Sequence, residues 1–243
     1  MATESTGESI GESSGMEPLV SFADGVWLCT VPVGFLGLHL TSTMVVLRLA
    51  DGSLLVHSPV ALTPARRAEV EALGRVAHLY APNVFHHLSL AAWATAFPAA
   101  RVHAPRGLPK KCPDVRIDRF HDEAPDPAFA SVVDEIRIDG FRLEETALFY
   151  RPAQTLVVAD LVHNVGRPPH AWTATYARMM GFYDRLGLSR AIRWTAFNDR
   201  KAARRSIDDL LALPVARLVV GHGAPLTAGA QQAVASAYAW LRA

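Results

Sequence analysis

The sequence predicts an α/β chain, a sandwich of two mostly antiparallel or mixed sheets with helices on the outer faces, in the order αββα. Three observations predict it. Strand-like runs come in hairpins joined by tight turns, single helical stretches punctuate the hairpins, and several runs are apolar enough to be buried on both faces. A doubly wound sheet would instead show helices alternating strictly with strands.

In chain order, the first strand candidates are Leu19–Phe22, Val26–Val33 and Thr43–Leu49, the last joined to Ser53–His57 by Asp51-Gly52, a strong hairpin signal. Thr63-Pro64 reads as an N-cap with proline at the first helical position, opening a helix to Leu73 that stops at Gly74. Val76–Tyr80 reads as a buried strand, followed by a loop from Pro82 to His87 and an apolar helix over Leu88–Phe97. Val102–Ala104, Val115–Phe120 and Val133–Ile138 are further strands, and Thr146–Tyr150 pairs with Thr155–Ala159 across Arg151-Pro152-Ala153. Helices are expected over Trp172–Leu186 and Asp199–Leu213, the latter capped by Asp199, with Ile207, Leu210 and Leu211 as its apolar stripe. Leu218–Val220 is a final buried strand, and the closing helix runs from Thr227.

Composition bounds what such a fold can do. The 243 residues are half hydrophobic, enough for one sizeable core. Lys plus Arg number 24 against 23 Asp plus Glu, so the near-neutral chain has no field for gripping nucleic acid or an anionic membrane. The two cysteines, Cys29 and Cys112, have no paired spacing, and no apolar stretch is long enough to span a bilayer. The opening MATESTGESIGESSG lacks the basic start and apolar run of a signal peptide, and its polar composition cannot offset ordering entropy. Residues 1–18 are therefore expected to be a disordered tail, residues 19–243 one domain, and the compartment the cytoplasm. Oligomeric state leaves no mark in the sequence.

Candidate chemistry sits where polar residues interrupt apolar strands at their C-terminal ends. These are His86 and His87 beyond Val76–Tyr80, Asp160 and His163 beyond Thr155–Ala159, and His222 between two glycines beyond Leu218–Val220. Imidazole and carboxylate are ligands that zinc, iron or manganese accept, and the flanking glycines let the backbone of His222 turn sharply. Each has a plainer role too. His86 or His87 can cap or pack beneath the next helix, Asp160 can bond loop amides, and His163 can be a solvated loop residue. His39, His57, His78, His103, His121 and His170 are expected to be ordinary core or surface residues. The cluster WTAFND before the basic RKAARR, and the aromatics Trp172, Phe182 and Tyr183, are read as helix face and packing.

From residue 19 onward this order of features resembles the metallo-β-lactamase superfamily. The segments that carry the resemblance are the opening hairpins, VAHLYAPNVFHHLSLAAW, ETALFYRPAQTLVVADLVHN and RLVVGHGAPLT. The chain is most similar to a branch known only as a domain of unknown function. The superfamily's first motif, His-x-His-x-Asp-His, falls on Pro82, Val84, His86 and His87, and its next histidine falls near Gly140-Phe141, where there is none. Its bridging aspartate matches Asp160 and its final histidine matches His222. The resemblance thus implies one emptied metal subsite and one that keeps a donor at every position: His86, His87, Asp160 and His222.

The implied cofactor is one divalent metal, zinc or iron, in a mononuclear site. The implied activity is hydrolysis of a small-molecule ester, lactone, thioester or phosphodiester, with Asp160 also orienting water and His163 touching substrate or ligand. Two other readings stand beside it: a binding or scaffold protein that has lost catalysis, and an iron-based redox protein.

Overall fold

The computed structural model describes residues 11–12 and 17–242. Its strands are β1 (Gly11–Glu12), β2 (Val20–Ala23), β3 (Val26–Phe35), β4 (Leu38–Arg48), β5 (Leu54–His57), β6 (Val76–Tyr80), β7 (Arg101–Ala104), β8 (Arg119–Phe120), β9 (Val133–Arg137), β10 (Thr146–Tyr150), β11 (Thr155–Val157) and β12 (Arg217–Val219). Its helices are α1 (Pro64–Leu73), α2 (Leu90–Ala96), α3 (Ala171–Met180), α4 (Arg190–Thr195), α5 (Arg200–Leu211), α6 (Ala230–Ala237) and α7 (Ala239–Arg242).

The strands form two sheets. The larger runs β1-β3-β4-β5-β6-β7-β8 with β2 also paired to β3, and the smaller runs β12-β11-β10-β9. Alternation along each strand makes the layers. On β4, Met44 and Val46 pack with Val70 of α1 and Leu90 and Trp93 of α2, whereas Val45 and Leu47 meet Leu148, Tyr150 and Val157 of the other sheet. On the far face, Ala147, Phe149 and Leu156 pack under Ile207 and Leu210 of α5 and Val234 of α6. The predicted αββα sandwich is therefore present.

Local signals fixed most boundaries. Thr63 accepts from Arg66 N and Asp199 from Lys201 N and Ala202 N, each an N-cap contributing about 1 kcal/mol. Four expectations need correction. The first hairpin is longer than predicted, because Leu36 and Gly37 both adopt positive φ and turn β3 directly into β4. Val115–Phe120 is strand only at Arg119–Phe120, since ladder pairing with β7 begins at Arg119. The helix from Trp172 stops at Gly181, a left-handed cap, and the remainder turns into a loop and the unpredicted α4. Finally, Gly11 and Glu12, inside the expected disordered tail, pair with Gly34 and Val33. The rest of that expectation, residues 1–10 and 13–16, lies outside the described residues. Among the described residues no helix is long and apolar enough to cross a membrane.

Candidate metal centre and its cavity

β11 and β12 are parallel neighbours, so both release their chains at the same end of the small sheet. Asp160 follows β11 and His222 follows β12, and the loop after β6 brings His86 to the same place. One ligand atom from each of His86, Asp160 and His222 lies within 4.8 Å of the others. His222 Nε2 is 3.3 Å from Asp160 Oδ1, and His86 Nε2 is 3.5 Å from Asp160 Oδ2.

The other ring nitrogens are engaged. His222 Nδ1 donates to the Thr41 carbonyl at 2.6 Å, and His86 Nδ1 lies 2.8 Å from Ser58 Oγ. A carbonyl oxygen only accepts, so the His222 proton is on Nδ1 and the Nε2 lone pair of a neutral ring faces the Asp160 carboxylate. Two lone-pair bearers at that separation need a cation between them, either a proton or a metal ion. A tetrahedral ion with bonds of about 2.0–2.1 Å holds its donors roughly 3.3 Å apart. The three residues fit a divalent metal.

The glycines around His222 are required by contact. A Cβ on Gly221 would sit 2.8 Å from both Ala159 O and His86 Cε1, and Gly223, at φ +106°, has no room against the backbone of Asn164. The Asp160 carboxylate is supported from beneath by two residues the sequence did not flag. Asn83 Nδ2 donates to Asp160 Oδ2 and to Glu145 Oε2, both at 2.9 Å, while Asn83 Oδ1 accepts from the amides of Phe85 and His86. Glu145, fully buried, accepts from the amides of Ala159 at 2.7 Å and Asp160 at 2.8 Å. Burial and the neighbouring Asp160 charge push Glu145 up to about 7. Burial alone would also raise Asp160, but the His86 charge and the His222 and His86 bonds outweigh it and hold the carboxyl well below its ordinary range. For His222, burial opposes protonation, yet the Asp160 bond and charge win and raise the ring above its usual value. Glu145 was legible only as an acidic residue opening an apolar run, and Asn83 as a turn residue three places before the expected His86-His87 pair.

His163 is buried beside the centre, its ring edge-on to His222 with centroids 5.4 Å apart. Its Nδ1 has no hydrogen-bond partner among the described residues, and burial lowers its pKa to about 4. His87 is not among the clustered three. Its Nδ1 lies 3.0 Å from Cys112 Sγ, because successive loop residues point in different directions, although the ring still lines the cavity. The positions that the resemblance leaves without histidine are packed. Val84 is buried, Pro82 O accepts from Thr146 N, and Phe141 meets Phe197 with ring centroids 4.7 Å apart.

The centre opens into a cavity of about 350 Å³. Val33, Phe35, Leu38 and Leu40 of the β3–β4 hairpin wall one side, and Phe182, expected mainly to pack, and Ile192 of α4 also line it. The basic helix α5 stays outside, with Arg200 over the Trp240 ring and Arg204 paired to Asp208.

Comparison with solved structures decides the fold. A metallo-β-lactamase from Pontibacter korlensis superposes with a TM-score of 0.63 over 93% of this chain and 98% of its own, at 12% identity. This chain has the metallo-β-lactamase fold. A metallo-β-lactamase from Pseudomonas aeruginosa, described in its mono-zinc form, gives a TM-score of 0.59 at 10% identity over 92% and 95% of the two chains. Rubredoxin oxygen:oxidoreductase from Desulfovibrio gigas gives 0.65 at 10% identity, covering 93% of this chain and 62% of that one. No protein-family model and no curated protein matches the sequence. The metallo-β-lactamase fold thus carries hydrolases and an oxidoreductase alike, and the chemistry has to be argued from the site.

A second group, His78, His103 and Asp126, is also close enough to hold an ion. It is self-satisfied without one: His78 Nδ1 and His103 Nε2 lie 2.9 Å apart, and Asp126 pairs with Arg101 at 2.8 Å and Arg119 at 3.6 Å. Two guanidinium groups on the only carboxylate argue against a further cation. The other histidines expected to be ordinary residues are core or surface, with His57 and His121 beside Tyr80 and His39 stacked on His170.

Proposed function

We propose that this cavity is the active site of a metal-dependent hydrolase of the ester, lactone, thioester or phosphodiester class. One divalent ion, zinc or iron, is held by His86, Asp160 and His222. The observation that carries the reading is the convergence of His222 Nε2 and His86 Nε2 on the buried Asp160 carboxylate, at 3.3 Å and 3.5 Å. When bound, the ion supplies a Lewis acid and lowers the pKa of water toward ~7.

The chain's own residues supply the rest. Asp160 stays ionised and is held in place by Asn83, so it can orient a water in the cavity by accepting its hydrogen bond. His163 stays neutral at pH 7 and lines the cavity beside the centre, where the substrate would lie. Ser58 and Thr41 fix the two ligand rings, the supporting bonds that such sites need. The apolar hairpin wall gives the reacting space one hydrocarbon side.

The test is a hydrolysis panel with the zinc- or iron-loaded protein and its Asp160→Asn variant. At least one class should be hydrolysed, with the variant down by about a hundredfold or more. No hydrolysis of any class would overturn the reading in favour of a cavity that binds without catalysis.

A further inference from the structure

We infer that the cavity takes an uncharged acyl compound with an aliphatic chain, a neutral carboxylic ester or lactone, and excludes substrates that carry a negative charge. This rests on the hydrolase reading for its chemistry but on the cavity walls for its specificity. Among the described residues that line the cavity Asp160 is the one acid, and neither lysine nor arginine is among them. The two arginines of α4, the helix that contributes Ile192, turn elsewhere: Arg190 donates to Met179 O, and Arg193 lies over the Trp240 ring. Lys111 approaches the rim only by lying on the ring of Phe85, 3.8 Å from its centroid.

A carboxylate or phosphate remote from the centre would therefore enter a largely apolar space with no cation to meet it. Burying an unpaired charge there costs several kcal/mol. A phosphodiester meets the same deficit at the reacting atoms, because its transition state spreads charge over oxygens that usually need a guanidinium or ammonium clamp besides the metal.

The polar groups that are present suit a neutral acyl group. His163 Nδ1 and Ser189 Oγ are buried, line the cavity and have no hydrogen-bond partner among the described residues. Neither atom is exposed to the cavity, so an anionic occupant finds no donor in them, and a neutral one forgoes nothing. Opposite them, Phe35, Leu38 and Leu40 offer only hydrocarbon, and the half-exposed Phe85 and Leu88 continue that surface to the rim.

The experiment pairs hydrolysis with binding, so that the two readings fail separately. Hydrolysis is compared for p-nitrophenyl acetate, butyrate, octanoate and glutarate, the last ending in a carboxylate, and for bis-p-nitrophenyl phosphate. Binding is measured by calorimetry with butanamide, octanamide and glutaramic acid, which need no turnover. Affinity should rise by up to about fourfold per added methylene, and glutaramic acid should bind more weakly than butanamide. Ile192→Lys, checked for an unchanged thermal midpoint, should weaken octanamide and strengthen glutaramic acid, a gain that mere loss of structure would not produce. Chain-length-dependent binding without any hydrolysis would remove the hydrolase reading and leave this inference standing. Binding of glutaramic acid as tight as that of octanamide, or no binding of any amide at millimolar concentration, would overturn it.

Discussion

His222 Nε2 stands 3.3 Å from Asp160 Oδ1 because the strands before them, β11 and β12, are hydrogen-bonded parallel neighbours that end together. The ring's other nitrogen is committed to Thr41, so this contact is closed by either a shared proton or a metal ion.

Metal content should follow that contact. Protein purified without added metal is expected to carry about one zinc or iron per chain, and a chelator should lower its melting temperature, since an ion at a hundred times its Kd adds about 2.7 kcal/mol. His222→Ala should abolish both the metal and the chelator response. His87→Ala and His39→Ala should keep both, because one ring is bonded to Cys112 and the other stacks on His170. Near-zero zinc, iron and manganese in the parent, with no thermal shift on adding them, would refute the centre.

Glu145 should matter more for stability than any surface acid. Glu145→Ala strands the amides of Ala159 and Asp160 in the core, at a cost of about 1–3 kcal/mol for each group left unsatisfied. Urea denaturation should show that loss, and metal affinity should fall with it as Asp160 loses its support. A midpoint within error of the parent would show that water replaces the carboxylate.

Gly221→Ala should displace His86 and weaken metal binding, since the new methyl meets the ring and the Ala159 carbonyl at 2.8 Å. Gly52→Ala is the control. Gly52 has φ +81° but open space around it, so its cost is the left-handed conformation alone, about 1–2 kcal/mol, with metal binding intact. Equal metal affinity in the two variants, measured by competition with a chromophoric chelator, would contradict the close approach.

The fold should be sensitive to acid. Burial lowers His57 to about 3, His103 to about 2 and His121 to about 3, all below the 6.5 of the unfolded chain. The unfolded state then binds more protons between those values, so the stabilisation is complete above pH 6.5 and is lost as pH falls toward 3. Each histidine adds up to about 1.4 kcal/mol per pH unit in that window. His121→Phe, which keeps the stack on Tyr80, should flatten the stability–pH slope by about one proton between pH 4 and 6. An unchanged slope would show that the ring is protonated in the native state.

The sequence by itself determined the four layers and most element boundaries and marked three of the candidate site residues, because those follow from local rules. Alternation on β4 and β10, the caps at Thr63 and Asp199, and polar residues ending apolar strands are all readable within a few neighbours. The early stop of α3 was missed because the apolar pattern runs past Gly181, and only the left-handed backbone there breaks the helix. His86, Asp160 and His222 were visible as candidates, but their meeting depended on which strand lies beside which. Tertiary structure alone chose His86 over His87, because rotation of a loop backbone decides which ring faces the carboxylate and which faces Cys112. It also found Asn83 and Glu145, whose side chains act by bonding amides far away in sequence, a relationship that leaves no periodic or compositional trace. That neither lysine nor arginine is among the described residues lining the cavity was likewise decided in three dimensions, since α4 is basic in sequence and its arginines bond to groups other than the cavity.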